Sequence, residues 1–169
     1  MNLKKRCSAV FLLFAFICQL FLFTSCLSKI KYRDGIPCHD ISEAFIQSQN
    51  NSVEYSYYTE EEISFLLDLP EYVNDLSVAY STDASDIDEI GIFHCTDEKS
   101  AKEFFDTLSS YLSEQQATQK AFIESYAPRE VPKLEAAEAR RFGNYVIYTI
   151  LSAEDKQIMW DITDKKIRG

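Results

Sequence analysis

Residues 76–112 read LSVAYSTDASDIDEIGIFHCTDEKSAKEFFDTLSSYL, and this stretch decides the fold. Leu76 to Ser81 alternates, with Leu76, Val78 and Tyr80 on one face, as a strand does. Thr82 to Asp86 is rich in turn formers. Ile87 to Cys95 reads as a second strand. Its Ile90 and Ile92 point one way and Phe93 the other, so both faces are partly covered. Thr96-Asp97-Glu98 then opens a helix. Ala101, Phe104, Phe105, Leu108, Tyr111 and Leu112, and later Phe122 and Tyr126, recur at three- and four-residue steps. Pro128 ends this helix after about 29 residues, roughly 43 Å. That is long for a small domain, so Gln115 to Lys120 is expected to overhang or bend.

Downstream, Val131 to Arg141 reads as a weaker strand. Phe142-Gly143-Asn144 is a hairpin turn, and Tyr145 to Leu151 is the clearest strand of the chain. Ser152 caps a last helix with Glu154 and Asp155 in its first turn. Ile158, Met159 and Ile162 are its core candidates, and Trp160 either packs or stays partly exposed. Upstream, Asp40 to about Gln49 is a short helix. Ser48 to Tyr58 is a polar, Tyr-rich loop, and Asn50-Asn51-Ser52 matches a glycosylation acceptor of little specificity. Thr59 followed by Glu60-Glu61-Glu62 is a capping box for a helix that Pro70 limits. The expected fold is α+β: a two-layer sandwich of a four-stranded antiparallel sheet, ordered β-β-α-β-β-α, with one long helix and short N-terminal helices.

The first residues set the expected compartment. Lys4-Lys5-Arg6 precedes a nearly unbroken apolar run from Ala9 to Phe23, followed by Thr24-Ser25-Cys26. A basic head, an apolar middle and a small-residue exit make a secretory signal. Three endings compete. Phe23-Thr24-Ser25-Cys26 reads as a lipobox with Cys26 lipidated, although Phe23 stands where Leu is usual. An ordinary peptidase cut would release the domain. An uncut run would serve as a single-helix anchor, since Ser8 to Ser25 is close to the roughly 20 residues that span a bilayer. The lipobox is preferred. Residues 1–25 are then the signal, 26–37 a membrane-proximal tether reaching at most roughly 35–40 Å, and 38–169 a single extracytoplasmic domain. The location expected is the outer face of the cytoplasmic membrane.

The chain is 46% hydrophobic and 14% aromatic, which excludes a disordered chain. Three of its 17 basic residues and none of its 27 acidic ones lie in the signal, so the remainder has 14 against 27, a formal charge of −13. Such acidity argues against nucleic acid, which needs a basic face. No Gly-rich phosphate loop and no G-x-S-x-G elbow occurs among only four glycines. No cofactor is expected.

Four groups of residues invite chemistry. Cys38 and Cys95 either pair as a disulfide, which an oxidising compartment permits, or stay as two buried thiols. Cys38-His39 and His94-Cys95 suggest metal or thiol chemistry. Adjacent strand residues face opposite ways, however, and structural zinc prefers a C-x₂₋₄-C spacing that is absent. Asp83, Asp86, Asp88 and Glu89 form an acidic cluster suited to a cation, to a partner or to acid–base work; turn formation is the plainer reading. Tyr55, Tyr57 and Tyr58 make either a contact patch or a loop packed on the core.

Tyr80-Ser81-Thr82-Asp83-Ala84-Ser85-Asp86-Ile87-Asp88-Glu89-Ile90-Gly91-Ile92-Phe93 resembles a strand-and-turn signature of the domain-of-unknown-function family four-three-five-eight. So do Tyr126-Ala127-Pro128-Arg129-Glu130 and Gly143-Asn144-Tyr145-Val146. The resemblance covers roughly Glu60 to Glu154. It implies a small exported lipoprotein of clostridial-type bacteria and brings no catalytic or binding residue with it. The expected role is a lipid-anchored binding or adaptor module with an envelope protein partner. The alternatives are an enzyme using carboxylates near Asp86–Glu89 to act on envelope material, and a spacer lipoprotein.

Overall fold

The computed structural model describes residues 31–49 and 53–169. The signal, the lipobox with Cys26, the uncut-anchor alternative and the Asn50-Asn51-Ser52 acceptor lie outside the described residues. No helix among the described residues is long and apolar enough to cross a membrane.

In chain order the elements are α1 (Cys38–Ser48), β1 (Tyr55–Tyr57), α2 (Glu60–Leu66), β2 (Val73–Ser81), β3 (Glu89–Cys95), α3 (Glu98–Tyr126), α4 (Val131–Glu135), β4 (Glu138–Phe142), β5 (Tyr145–Ile150) and α5 (Ala153–Ile167). The strands form one antiparallel sheet in the order β1-β2-β3-β5-β4. Five strands replace the expected four. Tyr55 to Tyr57 pairs with Ser81 to Ala79 as an edge strand. Three half-buried residues are too few to show an alternation.

Val131 to Arg141 is not one strand. Its first half is the single turn α4, with Pro132 in the first turn, where the missing N–H costs nothing. Only Glu138 onward joins the sheet. The Gly143-Asn144 turn is as expected: Gly143 has φ 60°, and Phe142 pairs with Tyr145 across it.

Both sheet faces are covered, so the expected two layers become three. On one face Ile90, Ile92, Tyr145 and Ile147 pack with Cys38, Ile41 and Phe45 of α1 and with Met159, Trp160 and Ile167 of α5. On the other, Phe93, Cys95, Val146 and Tyr148 pack with Ala101, Phe104, Leu108 and Leu112 of α3 and with Ile63 of α2. All six residues of β5 are buried, as a central strand between two layers requires.

The helix starts follow local chemistry. Thr59 Oγ1 accepts from Glu62 N–H at 3.2 Å, and Thr59 N–H donates to Glu62 Oε2 at 2.7 Å, a complete capping box. Asp97 caps α3 and Ser152 caps α5. Helix α1 has no side-chain cap of its own; Asp75 Oδ2 of β2 accepts from Cys38 N–H at 2.7 Å. The middle of α3 does not overhang. Gln116 Nε2 donates to the carbonyls of Leu134, Glu135 and Ala137, which ties the helix to α4 and its exit. Phe122 and Tyr126, expected on the buried stripe, stack on each other at 5.8 Å in solvent.

Residues from Lys31 onward belong to the folded unit. Tyr32 bridges to Arg168, Arg33 N–H donates to Ile167 O at 2.6 Å, and the Tyr145 hydroxyl holds both backbone groups of Ile36. Cys38 and Cys95 do not pair. Both are free and buried, and they belong to the clusters on opposite faces of the sheet.

Candidate functional site

The acidic cluster of the β2–β3 turn is divided by the sheet. Asp83 is spent on the turn: its Oδ1 accepts from Ser85 N–H and Ser85 Oγ–H, each at 2.8 Å. Asp88 and Glu89 are neighbours at the start of a strand, so they leave on opposite faces.

Asp86 and Asp88 meet two residues that sequence reasoning did not single out, Glu130 and Lys133. Lys133 Nζ lies 2.7 Å from Asp86 Oδ1, 2.6 Å from Asp88 Oδ1 and 2.7 Å from Glu130 Oε2. Only the contact to Asp86 has hydrogen-bond geometry, and the other two are close ionic contacts. Tyr55 O–H adds a long bond of 3.3 Å to Asp88 Oδ2. The carboxylate oxygens of Asp86, Asp88 and Glu130 lie within 4.8 Å of one another, a spacing that suits a cation. The ammonium of Lys133 is that cation, and a metal ion would have to displace it.

Burial pushes Asp88 up to about 6 against the pull of Lys133, with Asp86 and Asp155 adding to the rise. Burial acts on Asp86 in the same sense, but there Lys133 and the Asp88 N–H win, and Asp86 falls below its ordinary value. Burial opposes the charge on Lys133 too; its three carboxylate partners outweigh that and hold it above the usual lysine range. A shallow cavity of about 420 Å³, bounded by Val53, Glu54, Thr82, Asp83 and Asp86, opens beside this knot.

Glu89 faces α3 instead. Its Oε1 accepts from Tyr148 O–H at 2.6 Å. Burial raises Glu89, and the Tyr148 bond only partly offsets the rise. Burial and the facing carboxylate push Tyr148 well above the usual phenol range. The pair shares one proton donor and one acceptor in an apolar layer, and that proton is held fast.

The tyrosines of the expected patch are packed. Tyr57 O–H donates to Glu43 Oε1 at 2.6 Å, and Tyr58 stacks on Tyr80 at 4.3 Å. His94 Nδ1 pairs with Asn74 Oδ1 at 2.6 Å, its Nε2 pairs with Asp34, and its ring lies 4.7 Å from that of Tyr145. It holds the N-terminal segment. Thiol catalysis finds no support in either cysteine. Burial, chiefly, and nearby Asp75 push Cys38 far up, and burial with Asp97 takes Cys95 to about 11.

A second feature opens outward, a groove of about 510 Å³ between the first half of α3 and the sheet edge at β4. Phe105, Ala139 and Phe142 form its apolar part, and Lys102, Arg140 and Arg141 stand around it with Asp106. The sequence shows Phe105 only as part of a helical stripe and Phe142 only as part of a turn, and nothing local joins them to Lys102, Ala139, Arg140 and Arg141, because the groove is made by two segments distant in the chain.

A search of curated proteins and of solved structures finds no match to this chain. A family model described as Domain of unknown function (DUF4358) matches residues 56–151, from within β1 to the residue after β5. The match spans all of the sheet except Tyr55, together with the long helix on it, and leaves α1 and α5 outside. The chain therefore belongs to the DUF4358 family.

Proposed function

We propose that this chain is a lipid-anchored extracytoplasmic module that binds a protein of the cell envelope. The anchor rests on the basic head, the apolar run and Cys26 in the sequence. The binding role rests on one observation: the sheet ends at β4 in a solvent-facing groove of about 510 Å³ lined by both apolar and cationic side chains. The experiment is crosslinking in intact cells, then purification of the tagged protein and mass spectrometry. One envelope protein enriched well above a lipoprotein carrying the same signal is the expected result, together with an acylated N-terminal Cys26. Nothing enriched over that control would defeat the binding role, and an unmodified N-terminus upstream of Cys26 would defeat the lipid anchor.

A second reading draws on the carboxylates. Asp88, up to about 6, titrates where a general acid works, and the cavity beside Asp86 admits a small ligand. On this reading the domain acts on envelope material. Asp86→Ala, Asp88→Ala and Glu89→Ala variants that keep both fold and phenotype would sink it.

A further inference from the structure

β4 is the last strand of the sheet, and its register with β5 shows which of its peptide groups are unused. The two-residue turn makes Phe142 and Tyr145 a hydrogen-bonded pair. Bonded and non-bonded pairs alternate along an antiparallel ladder, so Arg140–Ile147 and Glu138–Thr149 are the next bonded pairs. The N–H and C=O groups of Ala139 and Arg141 therefore point away from β5, into solvent. The side chains of Ala139 and Arg141 lie on the α3 face, since their partners Tyr148 and Val146 pack there.

The charges at this edge are not equally free. Arg140 is engaged: its Nη2 lies 3.1 Å from Glu138 Oε1, and its guanidinium stands 4.6 Å from the centre of the Trp160 ring. Arg141 is exposed and donates to the Gly143 carbonyl at 3.0 Å, with no carboxylate partner among the described residues. Lys102, exposed on α3, has no ion pair among the described residues. Two uncommitted cations thus flank two outward peptide units, in a chain whose formal charge is −10.

Resting on the binding reading above, we infer that β4 takes an extended acidic segment of another protein as a sixth strand, whose carboxylates meet Arg141 and Lys102. The backbone supplies the pairing, and the charges select the partner. Residues of the incoming strand opposite Ala139 and Arg141 point to the α3 face, so the acidic side chains fall on every second residue. The occupant is not the chain's own N-terminal segment, because residues 1–30 carry Lys4, Lys5, Arg6 and Lys29 and no acid. Nor is it a second copy edge to edge, which would set the arginines of two β4 strands against each other.

The test uses the full chain in detergent micelles and a fluorescent peptide that alternates glutamate and valine. Its counterpart alternates lysine and valine. Fluorescence anisotropy at low salt should show the acidic peptide binding and the basic one failing. The double variant Lys102→Glu with Arg141→Glu, checked for an unchanged melting temperature, should weaken binding by roughly tenfold or more. Hydrogen exchange should show the Ala139 and Arg141 amides protected when the acidic peptide is present. Equal binding of both peptides, binding untouched by the double variant, or binding without protection of those amides would each overturn the inference. Repeating the cell crosslinking with the double variant separates the two ideas. A partner still captured leaves the binding module standing and removes this edge as its site; a partner lost supports the edge.

Discussion

Gly91 of β3 sits directly opposite Tyr148 of β5, and the phenol ring occupies the space where a side chain at 91 would be. A Cβ at Gly91 would stand 2.0 Å from Tyr148 Cε1. The glycine thus lets the ring lie across the strand, which delivers its hydroxyl to Glu89 two residues away. Gly91→Ala should force the ring off Glu89 and cost about 1–3 kcal/mol, the usual penalty for overfilling a packed core. Urea unfolding measures it. Combining the change with Tyr148→Leu, which removes the ring, should recover part of the loss, whereas a ring that merely tolerates the glycine would give additive losses.

Lys133 holds three carboxylates from two separate segments together. Lys133→Met should leave them facing one another and cost about 3 kcal/mol at pH 7, as removal of one partner from a buried ionic group does. The cost should shrink as pH falls toward 4, because the variant can protonate its carboxylates. Chemical denaturation at several pH values would show this, and a cost that did not change with pH would mean that Lys133 acts through packing alone.

Asp88 and Asp86 oppose each other in the pH dependence of stability. The folded value of Asp88 lies above its ordinary value, so the unfolded state gives up that proton first. Its contribution is therefore fully present at low pH and fades as pH rises from about 4 to about 6. Asp86 is depressed, so its contribution is present above its unfolded value and is lost as pH falls through the folded one. Asp88→Asn removes only the first effect. Wild type should lose stability relative to that variant between pH 4 and 6.5, on the order of 2 kcal/mol once solvent access to the site is allowed for. A gap that widened in favour of wild type over that range would reverse the assignment.

What could be read from the sequence was what short stretches determine by themselves. The Thr59–Glu62 box, the Asp97 and Ser152 caps and the Gly143 turn each need only a few adjacent residues. The helical stripe of α3 showed for the same reason, up to Leu112; past it the buried residue is Ile123, and Phe122 and Tyr126 lie off the covered face. β1 escaped notice because its evidence is its partner, Ala79 to Ser81, some two dozen residues away. The Lys133 knot escaped for the same reason, since Asp86 and Lys133 are 47 positions apart. The third layer did leave a trace. Tyr145 to Ile150 is apolar at nearly every position, and only a strand covered on both faces tolerates that.

Tyr145 reaches from β5 to the segment that leads into α1. Its hydroxyl accepts from Ile36 N–H at 2.7 Å and donates to Ile36 O at 2.9 Å. Tyr145→Phe keeps the ring and strands both backbone groups, so it should cost about 1–3 kcal/mol. The loss should be local first. Hydrogen exchange should quicken at Ile36 and Arg33, leaving the amides of β3 and β5 protected. Uniform acceleration across the sheet would instead mark Tyr145 as a support of the whole core.

Cys38 and Cys95 provide a check on the layering itself. Each is fully buried, Cys38 at the start of α1 on one face of the sheet and Cys95 at the end of β3 with its side chain on the α3 face. Burial, chiefly, raises both thiols, Cys95 to about 11, so almost no thiolate exists at neutral pH. Native protein exposed to an alkylating reagent should leave both residues unlabelled. Labelling should follow the unfolding curve in denaturant, at the same midpoint for both, and peptide mass analysis distinguishes them from Cys7, Cys18 and Cys26. A Cys38–Cys95 disulfide in protein made under oxidising conditions would overturn the assignment of the two thiols to opposite faces. Early labelling of Cys38 alone would show instead that α1 lifts away as a separate unit from the sheet and α3.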